Sequence, residues 1–182
     1  MEDWIENHRL ESTDKIISEI NEIIQKHNIE SNTDGKSTTG SNSSQYELGS
    51  HITEFSFSEP LTKIVESTLQ SKDLLSSSEK VEICNLWAVY GGHGAFHRIH
   101  RHNELGVKHY SMVVYTHVDQ SEDEISGAFF AVLNTKGEND FIEFAPETGD
   151  ILIFPVWICH GTYPQSSQKR ITLNLDFKTI SC

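Results

Sequence analysis

The stretch Gly149–Phe177, GDILIFPVWICHGTYPQSSQKRITLNLDF, decides the predicted fold. It reads as a strand that runs up to His160, a polar turn, and a second strand that opens at Arg170. The second strand alternates between apolar and polar side chains, which point to opposite faces of a strand. Its apolar face carries Ile171, Leu173, Leu175 and Phe177, and its polar face carries Arg170, Thr172, Asn174 and Asp176. This polar face either meets water, as in a half-exposed antiparallel strand, or lines a polar site.

The overall charge of the chain excludes some partners. Its 182 residues carry 27 acidic and 14 basic side chains, for a net charge of −13. A field of this sign repels phosphate backbones, and no run of Lys or Arg interrupts it, so no nucleic-acid partner is expected. The sequence has no apolar run of membrane-spanning length and no basic, apolar leader, and its three cysteines form no CxxC pair. We therefore expect a cytoplasmic protein with no membrane partner.

Three segments of the chain differ in composition. Residues 1–30 contain isoleucines at helical spacing and are expected to form an N-terminal helical segment apart from the main domain. Residues 31–50 are rich in Ser, Thr, Gly and Asn, which predicts a flexible linker. Residues 51–182 form the main domain, which is predicted to begin with a short strand at 52–57 and a helix from 60 to 75.

Strand-like segments dominate the chain after Ser78, with turn residues between them. They are VEICNLWAVY (81–90), GAFHRIH (94–100), HYSMVVYTHV (109–118), SGAFFAVLN (126–134), DFIEF (140–144), DILIFP (150–155) and RITLNLDFK (170–178). Short strands with little helix between them predict a mainly β fold with flanking helices, arranged as an antiparallel barrel or jelly roll.

The histidines of this region suggest a metal site. His100 and His102 stand two apart, which in an extended strand puts both imidazoles on one face. With His160 as a third ligand from a distant strand, they would form a facial site with open positions, which suits non-haem Fe(II). Glu104 would share the same face if the strand continued. The other histidines nearby are expected in loops or on outer faces: His93, His97 and His109.

The segment from about Val81 to Phe177 resembles the Fe(II)- and 2-oxoglutarate-dependent oxygenases, in particular the prolyl-hydroxylase-like branch and its phage-type relatives. That family has a His-x-Asp/Glu pair, a distal His, and an Arg about ten residues later. In this chain His100-Arg101-His102, His160 and Arg170 stand in those places. Three further runs are similar to the family pattern: Tyr90 to Gly94, the strand SMVVY ending at Tyr115, and GDILIFP. The resemblance implies a double-stranded β-helix, a cupin-like jelly-roll barrel.

The resemblance also implies a function and roles for the site residues. The expected enzyme is a dioxygenase that uses Fe(II), 2-oxoglutarate and O2, hydroxylates a C–H bond, and releases succinate and CO2. The C5 carboxylate of 2-oxoglutarate needs a cation, and Arg170 offers a planar fork that binds it in a two-pronged manner. Thr172 lies on the same face of its strand and is expected to add a hydroxyl. Tyr90 and Tyr115 are expected either to donate to the same carboxylate or to line the barrel with their hydroxyls in water.

One departure from the family pattern leaves the ligand set open. His102 stands where the family usually has Asp or Glu, and three neutral imidazoles leave Fe(II) with its full double charge. Either the ligands are His100, His102 and His160, or Glu104 supplies a carboxylate in a His102-x-Glu104 pair. The spacing of the run from Tyr90 to Gly94 indicates His100 as the first ligand of the pair, which favours the set of three histidines.

The sequence leaves the substrate unidentified, with a protein or peptide as the expected class. Two alternatives belong to other functional classes. A three-histidine cupin-type dioxygenase would not use 2-oxoglutarate, but it would have no C5 carboxylate for Arg170 to hold. A catalytically silent barrel would act as a binding module, but here all three ligand positions carry side chains that bind metals.

Overall fold

The computed structural model of the protein describes residues 3–32, 42–102, 108–135 and 137–182. In chain order the elements are β1 (Glu6–Arg9), α1 (Asp14–His27), β2 (Ser43–Glu47), a 3-10 helix (Gly49–Glu54), α2 (Ser58–Ser71), β3 (Glu79–Gly91), β4 (His109–Val118), β5 (Phe129–Thr135), β6 (Glu138–Phe144), β7 (Asp150–Pro155), β8 (Cys159–Thr162) and β9 (Arg170–Ser181). No helix in these ranges has the length and apolar content required to cross a membrane.

The strands form two antiparallel sheets. The larger sheet has the order β1-β7-β4-β9-β3-β2, and the smaller has the order β6-β5-β8. Apolar side chains from both sheets pack in one cluster between them, including Tyr115 and Phe154 from the larger sheet and Phe129 from the smaller. The prediction of a mainly β, jelly-roll fold with flanking helices is confirmed. The described strands pair only within their own sheet, so the sheets are not closed into a barrel.

A second apolar core lies on the outer face of the larger sheet. It joins the apolar face of β9 to α1 and α2 through residues that are almost fully buried. The helices contribute Ile16, Ile20, Ile23, Leu61, Val65 and Leu69, and β9 contributes Leu173, Leu175 and Phe177. An amphipathic helix gains most of its stability from packing its apolar face, and these helices pack that face on the sheet.

The N-terminal segment is part of this domain, contrary to the expectation that residues 1–30 lie apart. β1 pairs antiparallel with β7, with Glu6 opposite Ile153. The apolar face of α1 is buried in the core described above. Local composition did not reveal this, because both contacts are to residues distant in the chain.

The predicted linker, residues 31–50, also contributes to the sheet. Residues 33–41 lie outside the described residues, but Ser43–Glu47 forms β2 and pairs with β3. Its ladder uses backbone groups, which Ser and Gln supply as well as any other residue. The strand predicted at 52–57 is instead the end of the 3-10 helix and the approach to α2. The segment 94–100 contains only isolated bridges. The strands predicted at 109–118 and 150–155 are present with the same ends, and the other predicted strands are present with shifted ends.

Candidate active site

A cavity of about 610 Å³ opens between the two sheets. The polar face of β9 forms one wall of it, with Arg170, Thr172, Asn174 and Asp176 all among the lining residues. None of these four side chains belongs to a residue that is more than 6% exposed. The polar face of β9 therefore lines a buried site rather than meeting bulk water, which resolves the alternative that the sequence left open.

The structure brings the three predicted histidines together at this cavity. The metal-binding nitrogens of His100, His102 and His160 lie within 4.8 Å of one another. Backbone hydrogen bonds hold them in register: His100 and His160 each donate N–H to the carbonyl of the other at 2.9 Å, and His102 donates to Val156 at 3.0 Å. The segment that carries His100 and His102 thus lies along β8 and the turn before it. Its extended path keeps both imidazoles on the same side.

Each of these imidazoles has its Nδ1 engaged with a protein oxygen. The partner of His100 Nδ1 is the Arg98 carbonyl at 2.8 Å, and that of His160 Nδ1 is the Ile158 carbonyl at 3.0 Å. A carbonyl only accepts, so both Nδ1 atoms carry the proton, and Nε2 keeps its lone pair for a metal. His102 Nδ1 faces Asp176 Oδ1 at 2.9 Å. All three rings are thus oriented with Nε2 available, which fits a metal ion held by three neutral imidazoles.

Burial determines the protonation of two of these histidines. Desolvation lowers the pKa of His160 well below its ordinary value, and the neighbouring His100 and His102 lower it further. Desolvation likewise lowers the pKa of His100, against a smaller opposing effect of the hydrogen bond to Arg98. A metal ligand must be unprotonated, so these shifts keep the site ready to bind at neutral pH.

Asp176 is a buried carboxylate in contact with this histidine cluster. Ser111 Oγ donates to Asp176 Oδ1 at 2.7 Å, and Asn85 Nδ2 donates to Asp176 Oδ2 at 3.0 Å. Burial alone would raise the pKa of Asp176, but the hydrogen bond and charge of His102, together with Ser111 and Asn85, outweigh burial and lower it. Asp176 is therefore ionised at neutral pH.

Arg170 is a buried cation whose described hydrogen-bond partners are neutral groups. Its Nη1 donates to the Gly127 carbonyl at 2.7 Å and its Nη2 donates to Thr162 Oγ1 at 3.2 Å. Gly127 has a φ of +64°, and a Cβ there would lie 2.7 Å from Nη1, so this position requires glycine. Burial lowers the pKa of Arg170. Within the ranges that the structure describes, no carboxylate forms an ion pair with it.

The other residues predicted to bind 2-oxoglutarate fall into two groups. Thr172 and Tyr115 line the same cavity as Arg170. Thr172 Oγ1 accepts from Asn174 Nδ2 at 3.1 Å, which leaves its own O–H to donate to a ligand. Tyr90 is not brought to the cavity. It belongs to the face of β3 that packs toward the helices, and its hydroxyl donates to Asn21 Oδ1 on α1 at 2.8 Å.

His97, which is expected in a loop or on an outer face, lies outside the helices and strands but lines the cavity. Its Nε2 is buried without a hydrogen-bond partner in the described part of the chain. Burial, with smaller effects of Arg170, His100 and His102, lowers its pKa to about 3. The one available signal was its spacing, three residues before His100 in a segment already assigned to the site. Glu104, the alternative ligand, lies outside the described residues.

A jelly roll that presents three oriented imidazoles and a buried arginine to one cavity defines a metalloenzyme of the non-haem iron class. Residues 85–176, just over half of the chain, match the family model of the 2OG-Fe(II) oxygenases. The chain therefore belongs to the 2OG-Fe(II) oxygenase family. No curated protein matches its sequence.

Solved structures with the same fold include several prolyl hydroxylases. The prolyl-4-hydroxylase of Pseudomonas putida superposes with a TM-score of 0.63 at 16% identity, covering 96% of this chain and 91% of that one. A viral collagen prolyl hydroxylase from Paramecium Bursaria Chlorella virus-1, solved with 2-oxoglutarate, has a TM-score of 0.63 at 17% identity, covering 96% of each chain. A Trichoplax adhaerens prolyl hydroxylase in complex with a hypoxia inducible factor peptide has a TM-score of 0.67 at 13% identity, covering 97% of this chain and 83% of that one. At these identities the similarity establishes the fold.

Family membership confirms the predicted class of enzyme and its requirements. The protein is a 2-oxoglutarate-dependent oxygenase that uses Fe(II) and 2-oxoglutarate together with O2. The histidine cluster fits the metal, because its three free nitrogens converge. The buried arginine, which has no anionic partner in the described ranges, fits an acidic cosubstrate in the same cavity.

Proposed function

We propose that the protein hydroxylates a C–H bond of a protein or peptide side chain, with Fe(II) held by His100, His102 and His160. The observation that carries this proposal is Arg170, a buried guanidinium that shares a cavity with the three imidazoles and has no described anionic partner. A buried charge without a partner is costly, so such a site is built for a ligand that supplies the opposite charge.

The three histidines would hold Fe(II) through three nitrogens. An ion held in this way would keep coordination positions available for a keto acid and O2. Aromatic rings hold one of these ligands in place: Phe154 meets His160 edge-on at 4.7 Å between centroids, and Phe129 stacks on it at 5.7 Å. These rings also keep bulk water from that side of the metal site.

The C5 carboxylate of 2-oxoglutarate is proposed to bind at Arg170. Each terminal nitrogen of the guanidinium makes one protein hydrogen bond and keeps a second N–H for the ligand. The hydroxyls of Thr172 and Tyr115 lie in the same cavity as additional donors. Burial raises the pKa of Tyr115, partly offset by the charge of Arg170, so its phenol stays protonated. His97 Nε2 is a further candidate donor, because it is buried and has no described partner.

When bound, Fe(II) and 2-oxoglutarate would supply, with O2, an oxidative decarboxylation that gives succinate and CO2, with one oxygen atom entering succinate and the other the hydroxylated product. The role of the protein is to bind and orient the metal and the cosubstrate and to exclude water. Arg170 and Thr172 fix the distant end of the cosubstrate, and the imidazoles fix the metal. Positioning of this kind accounts for most of a protein's contribution to cofactor chemistry.

A peptide substrate is supported by the residues at the exposed side of the cavity. Glu47 and Arg101 are exposed lining residues, and Trp87, which also lines the cavity, is half-buried. This side offers both signs of charge and an aromatic surface to a chain lying across the opening. The prolyl hydroxylase structures named above, one with a bound peptide, support the same substrate class.

The test is turnover with defined substrates. Fe(II)-loaded protein, 2-oxoglutarate and O2 are incubated with peptide mixtures that either contain or lack proline, and succinate and a mass increase of about 16 Da, one oxygen atom, are measured. Succinate formation coupled to a peptide mass increase supports the proposal. Succinate without any peptide modification, but with modification of a small molecule, contradicts the substrate class. Fe(II) binding without affinity for 2-oxoglutarate would instead support a three-histidine dioxygenase.

A further inference from the structure

We propose that Asp176 supplies, through His102, the negative charge that the usual carboxylate ligand of this family supplies directly. Asp176 is thus a positioning residue that acts on the metal through an imidazole. The inference rests on the proposed ligand set of His100, His102 and His160.

The contacts of Asp176 are those of a dedicated partner for His102. Its Oδ1 lies 2.9 Å from His102 Nδ1 and accepts from Ser111 Oγ at 2.7 Å. Its Oδ2 accepts from Asn85 Nδ2 at 3.0 Å, so both oxygens are satisfied. Asp176 as a residue is only 3% exposed, and its geometry leaves His102 Nε2 as the free nitrogen.

The described surroundings of Asp176 contain no permanent cation that would balance its charge in place of a metal ion. In the described ranges no Lys or Arg forms an ion pair with Asp176, and its one ion-pair contact is His102, which is charged only if protonated. A metal-ligating His102 carries no charge of its own, so the described residues offer the buried carboxyl group of Asp176 hydrogen bonds but no permanent cation. The described acids that line the cavity are Glu47, which is exposed, and Asp176.

Among the described residues, the cavity therefore contains a buried cation and a buried carboxylate, neither of which pairs with a permanently charged group. Arg170 is matched by an acidic cosubstrate and Asp176 is matched by a divalent metal ion. A carboxylate behind a ligating imidazole raises the basicity of that ligand and fixes its ring, so it strengthens metal binding. The presence of His rather than a carboxylate at position 102 is thus compensated by an aspartate on β9, on the same face as Arg170.

A double-mutant cycle tests whether one carboxylate, either at position 102 or at position 176, is sufficient for Fe(II) binding. Fe(II) affinity is measured anaerobically by chelator competition, and Co(II) absorption reports ligand geometry, in the wild type, D176N, H102D and H102D/D176N. D176N alone is expected to weaken Fe(II) binding about 10- to 100-fold. In the H102D background the same change is expected to strengthen binding, because H102D alone leaves two carboxylates side by side.

Two further variants separate charge from hydrogen bonding and folding. The swap N85D/D176N keeps the net charge and the Asn–Asp hydrogen bond but moves the carboxylate away from His102, and it is expected to bind Fe(II) as weakly as D176N. D150N removes another buried aspartate, which accepts from the Glu147 N–H at 2.7 Å outside the cavity, and it is expected to bind Fe(II) like the wild type. Thermal unfolding of each metal-free variant confirms that it is folded.

The outcomes are distinguishable from a failure of the proposed function. Equal effects of D176N in the wild-type and H102D backgrounds, or wild-type affinity in the swap, would overturn the role of Asp176 while leaving the metal site intact. A wild-type protein that binds no Fe(II) would overturn the inference together with the proposed ligand set.

Discussion

The two faces of β9 are both buried, but one packs in the apolar core and the other lines the cavity. On the apolar face Ile171, Leu173, Leu175 and Phe177 are at most 1% exposed, and this face packs against the helices. On the polar face Arg170, Thr172, Asn174 and Asp176 are 3–6% exposed and line a cavity. The apolar face is shielded from water by side-chain packing, whereas the polar face places charged and polar side chains in a cavity that is largely shielded from water. Buried charged groups that have hydrogen-bond partners but no described counter-ion therefore indicate a binding site.

The energetic roles of the faces differ accordingly. Apolar burial stabilises the fold, by about 25 cal/mol for each square ångström removed from water. Burial of Arg170 and Asp176 works against stability until ligands of opposite charge arrive. Departures from the usual burial of apolar side chains are expected at functional sites. Strand β9 follows this preference on one face and departs from it on the other.

The largest expected effect is on the metal side of the cavity. His160→Ala removes a ligand and is expected to lower Fe(II) affinity more than about 100-fold, a larger loss than that of an outer partner. Anaerobic titration with Fe(II) measures it, with His93→Ala as a control at an exposed histidine. Retention of wild-type affinity by His160→Ala would contradict the assignment of His160 on β8 as a metal ligand.

A substitution on the apolar face should act on stability alone. Leu173→Ala is expected to lower the free energy of unfolding by about 2–5 kcal/mol, because it leaves a cavity in a fully buried core. Denaturant unfolding measures this loss, and calorimetry measures 2-oxoglutarate affinity in the folded, metal-loaded variant. A change in affinity beyond about tenfold would show that the two faces are not separate in function.

Acid should destabilise the metal-free protein through the buried histidines. The folded-state pKa values of His97, His100 and His160 lie below the unfolded value near 6.5, so the unfolded chain binds more protons. Their contribution to stability is therefore full above pH 6.5 and is lost as pH falls toward the folded values. We expect a loss on the order of 1–2 kcal/mol from His97 between about pH 6.5 and 5, and losses in the same direction from His100 and His160.

Denaturant unfolding at several pH values measures this dependence. His97→Asn should flatten the slope between about pH 6.5 and 5, whereas a substitution of the exposed His93 should not. An unchanged slope in His97→Asn would contradict burial as the cause of its lowered pKa, which is about 3.

The smallest effect is expected at Thr172. Thr172→Val keeps the shape of the side chain and removes the hydroxyl, which is expected to weaken 2-oxoglutarate binding by about 1 kcal/mol. Calorimetric titration measures the change. An effect as large as the loss of Arg170 would indicate that the hydroxyl, rather than the guanidinium, anchors the cosubstrate.

Much of the site could be predicted because its signals are local. The alternation of β9 and the spacing of His100 and His102 each depend on strand geometry, and the structure places these residues at one cavity. Tyr90 does not line the cavity, because it lies on the opposite face of β3 from Trp87, which does. Three positions separate these residues, and a strand puts them on opposite faces.

The rest depends on contacts that sequence spacing does not encode. The pairing of β1 with β7, and the packing of α1 on the sheet, join the two ends of the chain. The meeting of Asp176 with His102, and the burial of His97, arise from how a segment without regular structure lies along β8. Only the folded chain shows which polar groups lack partners.

The most direct test of the proposed site is the binding of 2-oxoglutarate to the Fe(II)-loaded protein under anaerobic conditions, measured calorimetrically for the wild type, Arg170→Ala and Lys169→Ala. Lys169 is the exposed neighbour of Arg170, so both variants lose one positive charge from adjacent positions. We predict a loss of about 2–5 kcal/mol of binding free energy for Arg170→Ala and wild-type affinity for Lys169→Ala. Equal affinities for all three proteins, or no binding by the iron-loaded wild type, would show that Arg170 does not anchor the cosubstrate.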